Sequence, residues 1–274
     1  MYASLLKQSF QDFEWIIVDD GSTDDTLQII KEIVYLAPFN IKIKHIKHGH
    51  KKIALYHGLH LAAGFMTVVA DADDWIKPNA LDAFYNTWKQ YGDVNSFVGI
   101  WGLYIDQHQN LVGNKFSESP MICNYLEMVC KYKIKGDKYA CYLTNDFVKL
   151  YPDYSNIRGH IPEGVYHRKL ARKKIIFIND VLGIYDTSTP GSIMKEGLGK
   201  NGENAEGICF EAMDLLNNYI SYFKYAPVMY LFAAARLNKY LKYSQTKKFK
   251  ICGFIARILY FCTLPCRFLY YKQK

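Results

Sequence analysis

Short apolar runs alternate with stretches of 3.6-residue apolar period through the first hundred residues, which predicts strands exchanging with helices. Glu14–Val18 contains Trp-Ile-Ile-Val and reads as a buried strand ending at Asp19-Asp20. Gly21-Ser22-Thr23 is a turn, and Ser22 or Thr23 is suited to cap a helix over 24–36. Asp24 and Asp25 favour the positive end of that helix. A second strand is expected at Ile41–Ile46, a helix at Lys52–Ala63 closed by Gly64, and a third strand at Met66–Ala70. That strand runs into Asp71-Ala72-Asp73-Asp74. A helix from Pro78 to Gln90 and a strand at Phe97–Ile105 follow. Strand–helix repeats at this spacing predict right-handed crossovers and a mostly parallel, Rossmann-like central sheet.

The second half is less regular. Residues 106–160 read as connections with a helix near 121–132. A helix follows Pro162 to about Arg172, and strands are expected at Ile175–Ile178 and Leu182–Tyr185. Residues 187–204 form a polar, glycine-rich stretch. Helices at 205–224, 226–243 and 247–263 complete the chain, giving an expected α/β domain over 1–204 and a helical segment over 205–274.

Charge separates the same two parts. After Asp214 there is no Asp or Glu, yet residues 215–274 carry eleven Lys and Arg. The first 214 residues hold 23 basic and 26 acidic groups. On a helix over 247–263, Lys247, Lys250 and Arg257 fall in one narrow sector, and Ile, Leu, Phe and Cys fill most of the rest. That pattern fits peripheral contact with an anionic membrane, although a solvated basic face on a packed helix has the same sequence. Pro265, Arg257 and Arg267 argue against spanning, and no run of 18 apolar residues exists. No nucleic-acid motif accompanies the cations. The seven cysteines include no Cys-x-x-Cys pair, which disfavours zinc ribbons and a disulfide framework and suits a cytoplasmic setting. Neither a basic start nor an apolar core follows Met1, so no signal peptide is expected.

Two acidic strand ends carry the candidate chemistry. Ligands of open parallel sheets bind beyond the carboxyl ends of the strands, so Asp19-Asp20 and Asp71/Asp73/Asp74 are expected at one edge. Asp71 and Asp73 project to one side if their segment is extended. Two carboxylates suit a hard divalent ion that takes further ligands from phosphates. A turn and helix cap would use the same residues.

The ordered motifs resemble a known family. Residues 4–26, from Ser4-Leu5-Leu6-Lys7-Gln8 to Val18-Asp19-Asp20-Gly21-Ser22-Thr23-Asp24-Asp25-Thr26, closely resemble the opening of family 2 glycosyltransferases. Ala54–Gly64 resembles the helix that follows, with Tyr56 where the family often has Asn. Asp71-Ala72-Asp73-Asp74 looks like the family's metal-binding Asp-x-Asp. Pro162-Glu163-Gly164 and Phe177-Ile178-Asn179-Asp180 resemble the acceptor-side segment of bacterial polysaccharide members. The resemblance implies a GT-A fold and sugar transfer, with inversion, from a nucleotide-sugar donor, usually a UDP-sugar, to a saccharide or lipid-linked acceptor. It implies Asp20, beside Asp19, at the base, Asp71 at the ribose, and Asp71 and Asp73 on Mg²⁺ or Mn²⁺. Glu163 is implied as general base, although just after Pro162 it would also serve as an ordinary helix-start carboxylate. Family members usually begin with an apolar strand ahead of the position of Ala3. The sequence starts at what looks like the helix after it, so a lost first strand and exposed neighbouring strand edges are expected.

Other residues carry less. Lys51 and Lys52 stand where they could approach the donor diphosphate. Asp146 is a weaker alternative base, and Ser188 and Ser192 could belong to a segment closing over the donor. His45, His48, His50, His57 and His60 read as surface histidines rather than a metal site. Two functions follow: a metal-dependent glycosyltransferase at the cytoplasmic membrane face, or a non-catalytic relative that keeps the fold and the basic tail.

Overall fold

The computed structural model describes residues 1–186, 202–245 and 250–265. These divide into two compact units: Met1–Pro152 with 168–186, and Asp153–His167 with 202–245 and 250–265. The division therefore does not follow a single boundary at 204. Residues 153–167 belong with the helices of the second unit.

The first unit is α/β. Its strands are β1 (Glu14–Asp19), β2 (Asn40–His45), β3 (Met66–Val68), β4 (Trp75–Ile76), β5 (Phe97–Asp106), β6 (Met121–Cys123), β7 (Lys138–Leu143) and β8 (Lys174–Tyr185). Its helices are α1 (Tyr2–Leu5), α2 (Thr26–Leu36), α3 (Lys51–Leu61), α4 (Ala80–Tyr91) and α5 (Thr144–Leu150). Helix α6 (Gly164–Leu170) runs through the boundary between the units.

The strand pairing is less parallel than the crossover pattern predicts. β1 and β2 form a parallel pair of their own. The larger sheet has the order β3-β7-β5-β8-β4, with β6 also on β8. Within it only β5–β8 is parallel. The difference comes from β7, which enters between β3 and β5 antiparallel to both, and from β4 and β6, each antiparallel on β8. The six residues of β7 are all buried, so they show no alternation to read. They include Lys138, whose ammonium donates to the carbonyls of Lys135 and Gly136 at 2.8 Å. Burial lowers its pKa to about 8. The two strands expected at 175–178 and 182–185 are one strand with an irregular middle. Trp101 faces Phe177 and Leu103 faces Val181, so β8 bulges between them. Gly102 makes room, since a Cβ there would lie 2.4 Å from Leu182 Cδ1. The helix expected near 121–132 is present as a π-helix at Glu127–Lys131, preceded by β6 at its expected start.

The core packs Ile100, Tyr104, Tyr139, Cys141, Ile176 and Leu182 of the sheet against Phe84 and Ala80 of α4 and Leu5 of α1. Gln8, itself buried, donates to Ser4 O and Lys77 O and accepts the Leu81 N–H, fixing α1 to the start of α4. β1 and β3 share no ladder. Among the described residues β1 pairs with β2 and β3 with β7. A polar clamp links them instead. Glu14 Oε1 accepts the N–H groups of Ala63 (2.7 Å) and Gly64 (3.1 Å), and Oε2 meets Lys42 Nζ at 2.6 Å.

The second unit is helical: α7 (Ala205–Asn218), α8 (Pro227–Tyr240) and α9 (Phe254–Cys262). Cys209, Ala212, Leu216, Tyr230, Ala234, Leu237, Ala256 and Leu259 form its core. Small residues at these positions let the helices approach closely. Asn238 is buried and donates to Tyr260 O (2.9 Å) and Thr263 Oγ1 (3.0 Å), joining α8 to α9. The segment 153–167 lies on α7, with Arg158 N–H on Glu206 (2.7 Å) and His160 N–H on Asn204 (2.9 Å). The helix expected over 247–263 is shorter. Gly253 takes φ +82°, a left-handed value that stops a helix from running through it. Lys250 therefore precedes the helix, Lys247 lies outside the described residues, and Arg257 is the cation that α9 carries.

The six described cysteines are free. Cys123, Cys130, Cys141 and Cys209 are buried, whereas Cys252 and Cys262 are exposed. Burial pushes the thiols of Cys123 and Cys209 up to about 12.

The Glu14 clamp has a pH signature. Partial burial works to raise its pKa, but Lys42 and the two N–H donors outweigh it and hold the carboxyl below its ordinary 4.5. The stabilisation is complete above pH 4.5 and is lost as the pH falls through the lowered folded value. Glu14→Ala should lower the unfolding free energy by about 2 kcal/mol at neutral pH and by much less near about pH 3. Urea titrations at the two pH values check this; an unchanged neutral midpoint would remove the clamp from the account.

Candidate active site

The carboxyl end of β1 is where the acidic residues meet basic partners. In the parallel register Asp19 lies opposite His45 at the end of β2. Asp19 is buried. Its carboxylate accepts the Ser22 N–H at 3.2 Å and contacts His45 Nδ1. Burial acts to raise its pKa, but Ser22 and His45 prevail and hold it below the usual value. Asp20 turns to the loop after β2, with Oδ1 accepting the Gly49 N–H at 2.7 Å and Oδ2 meeting His48 Nδ1 at 2.8 Å. The loop reaches Asp20 because Gly21 holds φ +80° beneath it. A Cβ on Gly21 would sit 2.9 Å from the His48 nitrogen. Helix α3 packs on β1 with Gly58 against Val18 and starts at Lys51, whose Nζ lies 2.5 Å from Asp71 Oδ1.

Asp71–Asp74 is a turn rather than an extended segment. The Asp74 N–H bonds to Asp71 O at 3.2 Å. Strand alternation therefore does not set the directions of Asp71 and Asp73. β4 pins the turn by pairing Trp75 with Ile184 and Ile76 with Gly183 of β8. Asp74 is buried and accepts the Asp186 N–H at 3.2 Å. Burial, then the charges of Asp71 and Asp73, push its pKa up to about 6. Asp73 is exposed. Tyr185, which the sequence reading names only as a strand end, feels this group: burial and then the charges of Asp137, Asp74, Asp71 and Asp73 raise its pKa.

The basic residues 45–51 thus pair with Asp19, Asp20 and Asp71. The histidine side chains are largely open to solvent, but His45 and His48 have specific partners. The crowding of His45, His48, His50 and Lys51 just after the strand that neighbours β1 was the available signal. Lys52 is buried in α3, and its carbonyl accepts the Tyr151 hydroxyl at 3.0 Å. Lys51 is the lysine at Asp71.

Glu163 belongs to the second unit. It immediately precedes α6, and its carbonyl accepts the N–H groups of Tyr166 and His167. Its carboxylate lies 3.8 Å from His167 Nε2 and is 42% exposed. Asp146, in the first turn of α5, forms an ion pair with Lys173 at 2.6 Å. Ser188 and Ser192 lie outside the described residues.

Comparison with known proteins decides the class. Residues 1–148, more than half of the chain, match the family described as Glycosyl transferase family 2. The chain belongs to this family. Glycosyltransferase GlyG of Streptococcus pneumoniae serotype 4 is 29% identical to it over 202 residues, spanning 70% of this chain and 66% of GlyG. Chondroitin synthase of Escherichia coli is 31% identical over 137 residues, 46% of this chain and 19% of the synthase. This chain thus spans about two thirds of one relative's length and a fifth of the other's. Residues 1–349 of S. aureus TarS, crystallised with UDP-GlcNAc, superpose with a TM-score of 0.61 at 19% identity, covering 89% of this chain and 67% of that one. The fold is GT-A.

For a divalent ion, Asp71 and Asp73 supply hard oxygen donors, and Asp71 already holds a cationic group. Among the described residues no group of three or more His, Cys, Asp or Glu could hold a metal ion.

Gly21→Ala tests how the site is held. Placing a Cβ at φ +80° against the His48 nitrogen should cost about 1–2 kcal/mol and loosen the His48–Asp20 pair. At Gly64 a Cβ meets nothing nearer than 3.4 Å, so Gly64→Ala should cost much less. Thermal melts of the two variants, with His48 followed by NMR, give the comparison.

Proposed function

We propose that this glycosyltransferase transfers a sugar from a nucleotide donor, a UDP-sugar, to a hydroxyl of a saccharide or lipid-linked saccharide, with inversion, in polysaccharide synthesis. The observation that carries the reading is the meeting of Asp19, Asp20 and Asp71 with the basic residues 45–51 at one end of β1, β2 and α3. The name of the related chondroitin synthase and the UDP-GlcNAc bound by TarS support the substrate class.

The roles follow from the chemistry. Asp20 holds the nucleotide base, with Asp19 fixing the loop behind it. Asp71 takes the ribose side and, with Asp73, would hold Mg²⁺ or Mn²⁺, which would supply positive charge for the departing diphosphate. Lys51, next to Asp71, is placed to turn toward the same phosphates. The acceptor hydroxyl attacks the anomeric carbon as the bond to the diphosphate breaks. Glu163 takes the hydroxyl proton, because an unassisted hydroxyl is a poor nucleophile. A single displacement needs one base and inverts the centre.

The reading includes a cytoplasmic setting with peripheral contact at the inner face of the membrane. Among the described residues no helix is long and apolar enough to cross a membrane. A second reading, a relative that keeps the fold but binds no donor, is favoured by the one-sided pairing of β1 and β3.

Release of nucleoside diphosphate from UDP-sugars, with Mn²⁺ and with a chelator, separates the two readings. Metal-dependent release is expected; neither release nor donor binding would leave the second reading. Glu163→Gln should lower transfer by about 100-fold or more while UDP binding persists. Asp73→Ala should lose metal-dependent binding. Transfer unaffected by Glu163→Gln would move the base elsewhere.

A further inference from the structure

Helix α9 has its larger apolar side chains on the outside. Its inward face consists of Ala256 and Leu259, with the half-buried Tyr260 beside them, in the core shared with α8. Phe254, Ile258 and Phe261 follow one another at i, i+4 and i+7 on the opposite side. Phe254 is 80% exposed and Phe261 62%. Arg257 is the only charged residue of the helix. An ordinary surface helix shows the reverse arrangement, with polar residues outward. Helix α8 repeats the feature at its start, where Val228, Leu231 and Phe232 are exposed. Farther along the same side come Arg236, bound to Glu211 at 3.1 Å, and Lys239.

Several cations of this segment sit beside aromatic rings. Lys224, Lys239 and Lys242 place their ammonium groups 4.9, 5.3 and 5.1 Å from the ring centres of Tyr225, Tyr240 and Tyr243. Tyrosine beside lysine is the composition of a membrane boundary, where the ring sits at head-group depth and the charge meets lipid phosphate. The partner's charge is also constrained. Residues 215–274 carry eleven cations and no carboxylate. A second copy of this surface would be repelled, and a nucleic acid would leave the Phe and Ile stripes unused.

We propose that the outward Phe254/Ile258/Phe261 stripe of α9 is an insertion face for an anionic lipid surface, and that the described cations of this segment, Lys224, Lys239, Lys242, Lys250 and Arg257, bind its head groups. This deepens the peripheral-membrane part of the function proposed above, and it depends on none of the catalytic assignments. The insertion element is the Phe254/Ile258/Phe261 stripe, not the Lys247/Lys250/Arg257 sector of a longer helix.

The test is co-sedimentation of the full chain with vesicles of phosphatidylglycerol and phosphatidylcholine, or of phosphatidylcholine alone. The wild type should bind the anionic vesicles, at least tenfold less the neutral ones, and less at high salt. Phe254→Ser/Phe261→Ser should bind anionic vesicles at least tenfold more weakly with an unchanged circular dichroism spectrum and melting curve, because both side chains point away from the core. Undiminished binding by this variant, equal binding of wild type to neutral vesicles, or no binding at all would overturn the proposal. So would a vesicle-free dimer that the same substitutions dissociate. Diphosphate release, measured in parallel without lipid, should be the same in variant and wild type. Its absence from both would count against the catalytic reading and leave the lipid result standing.

Discussion

The parallel register of β1 on β2 determines where the charges of the candidate site can sit. It sets Asp19 against His45 and brings the loop after β2 over Asp20. A carboxylate as buried as Asp19 needs hydrogen bonds or an opposite charge to stay ionised. Ser22 and His45 provide both. Because the partners come from the strand's own neighbour, the acidic end of β1 and the basic loop form together. The same loop leads into α3 and delivers Lys51 to Asp71. The turn at Asp71–Asp74 is held independently, by β4 on β8. The carboxylates at the end of β1 and those of the Asp71–Asp74 turn thus rest on different supports within one unit, so a disturbance of one need not displace the other.

Much of this was legible in the sequence. The strand Trp-Ile-Ile-Val ending in two acids, the helix after Thr26 and the apolar run before Asp71 stand close to where the pattern puts them. The resemblance to family 2 glycosyltransferases named the fold as GT-A, and residues 1–148 bear that out. What the pattern missed has physical causes. β7 is buried throughout and includes a lysine, so neither alternation nor polarity marks it. β8 reads as two strands because its bulge places Asn179 and Asp180 mid-strand. The partners of His45 and His48 are 26 and 28 residues away, a separation that only the strand register resolves.

The helical segment was misread for a different reason. Periodicity counts apolar residues but does not say which side faces inward. On α9 the small residue Ala256 packs inside while Phe254 and Phe261 face out, so the exposed side holds more apolar surface than the buried one. Gly253 also breaks the period at a point where the apolar run continues. Composition alone does not distinguish such a helix from one buried on both sides.

The distribution of cysteines has a practical consequence. The α/β unit keeps Cys123, Cys130 and Cys141 inside, with thiols that burial holds protonated, while Cys252 and Cys262 lie open at the two ends of the α9 region. Electrophilic dyes and spin labels react with thiolates that solvent can reach. On the native protein they will therefore leave these three cysteines of the α/β unit unmodified and attach at the helical segment. Fluorophores on Cys252 and Cys262 would report the polarity around α9 without an engineered attachment point.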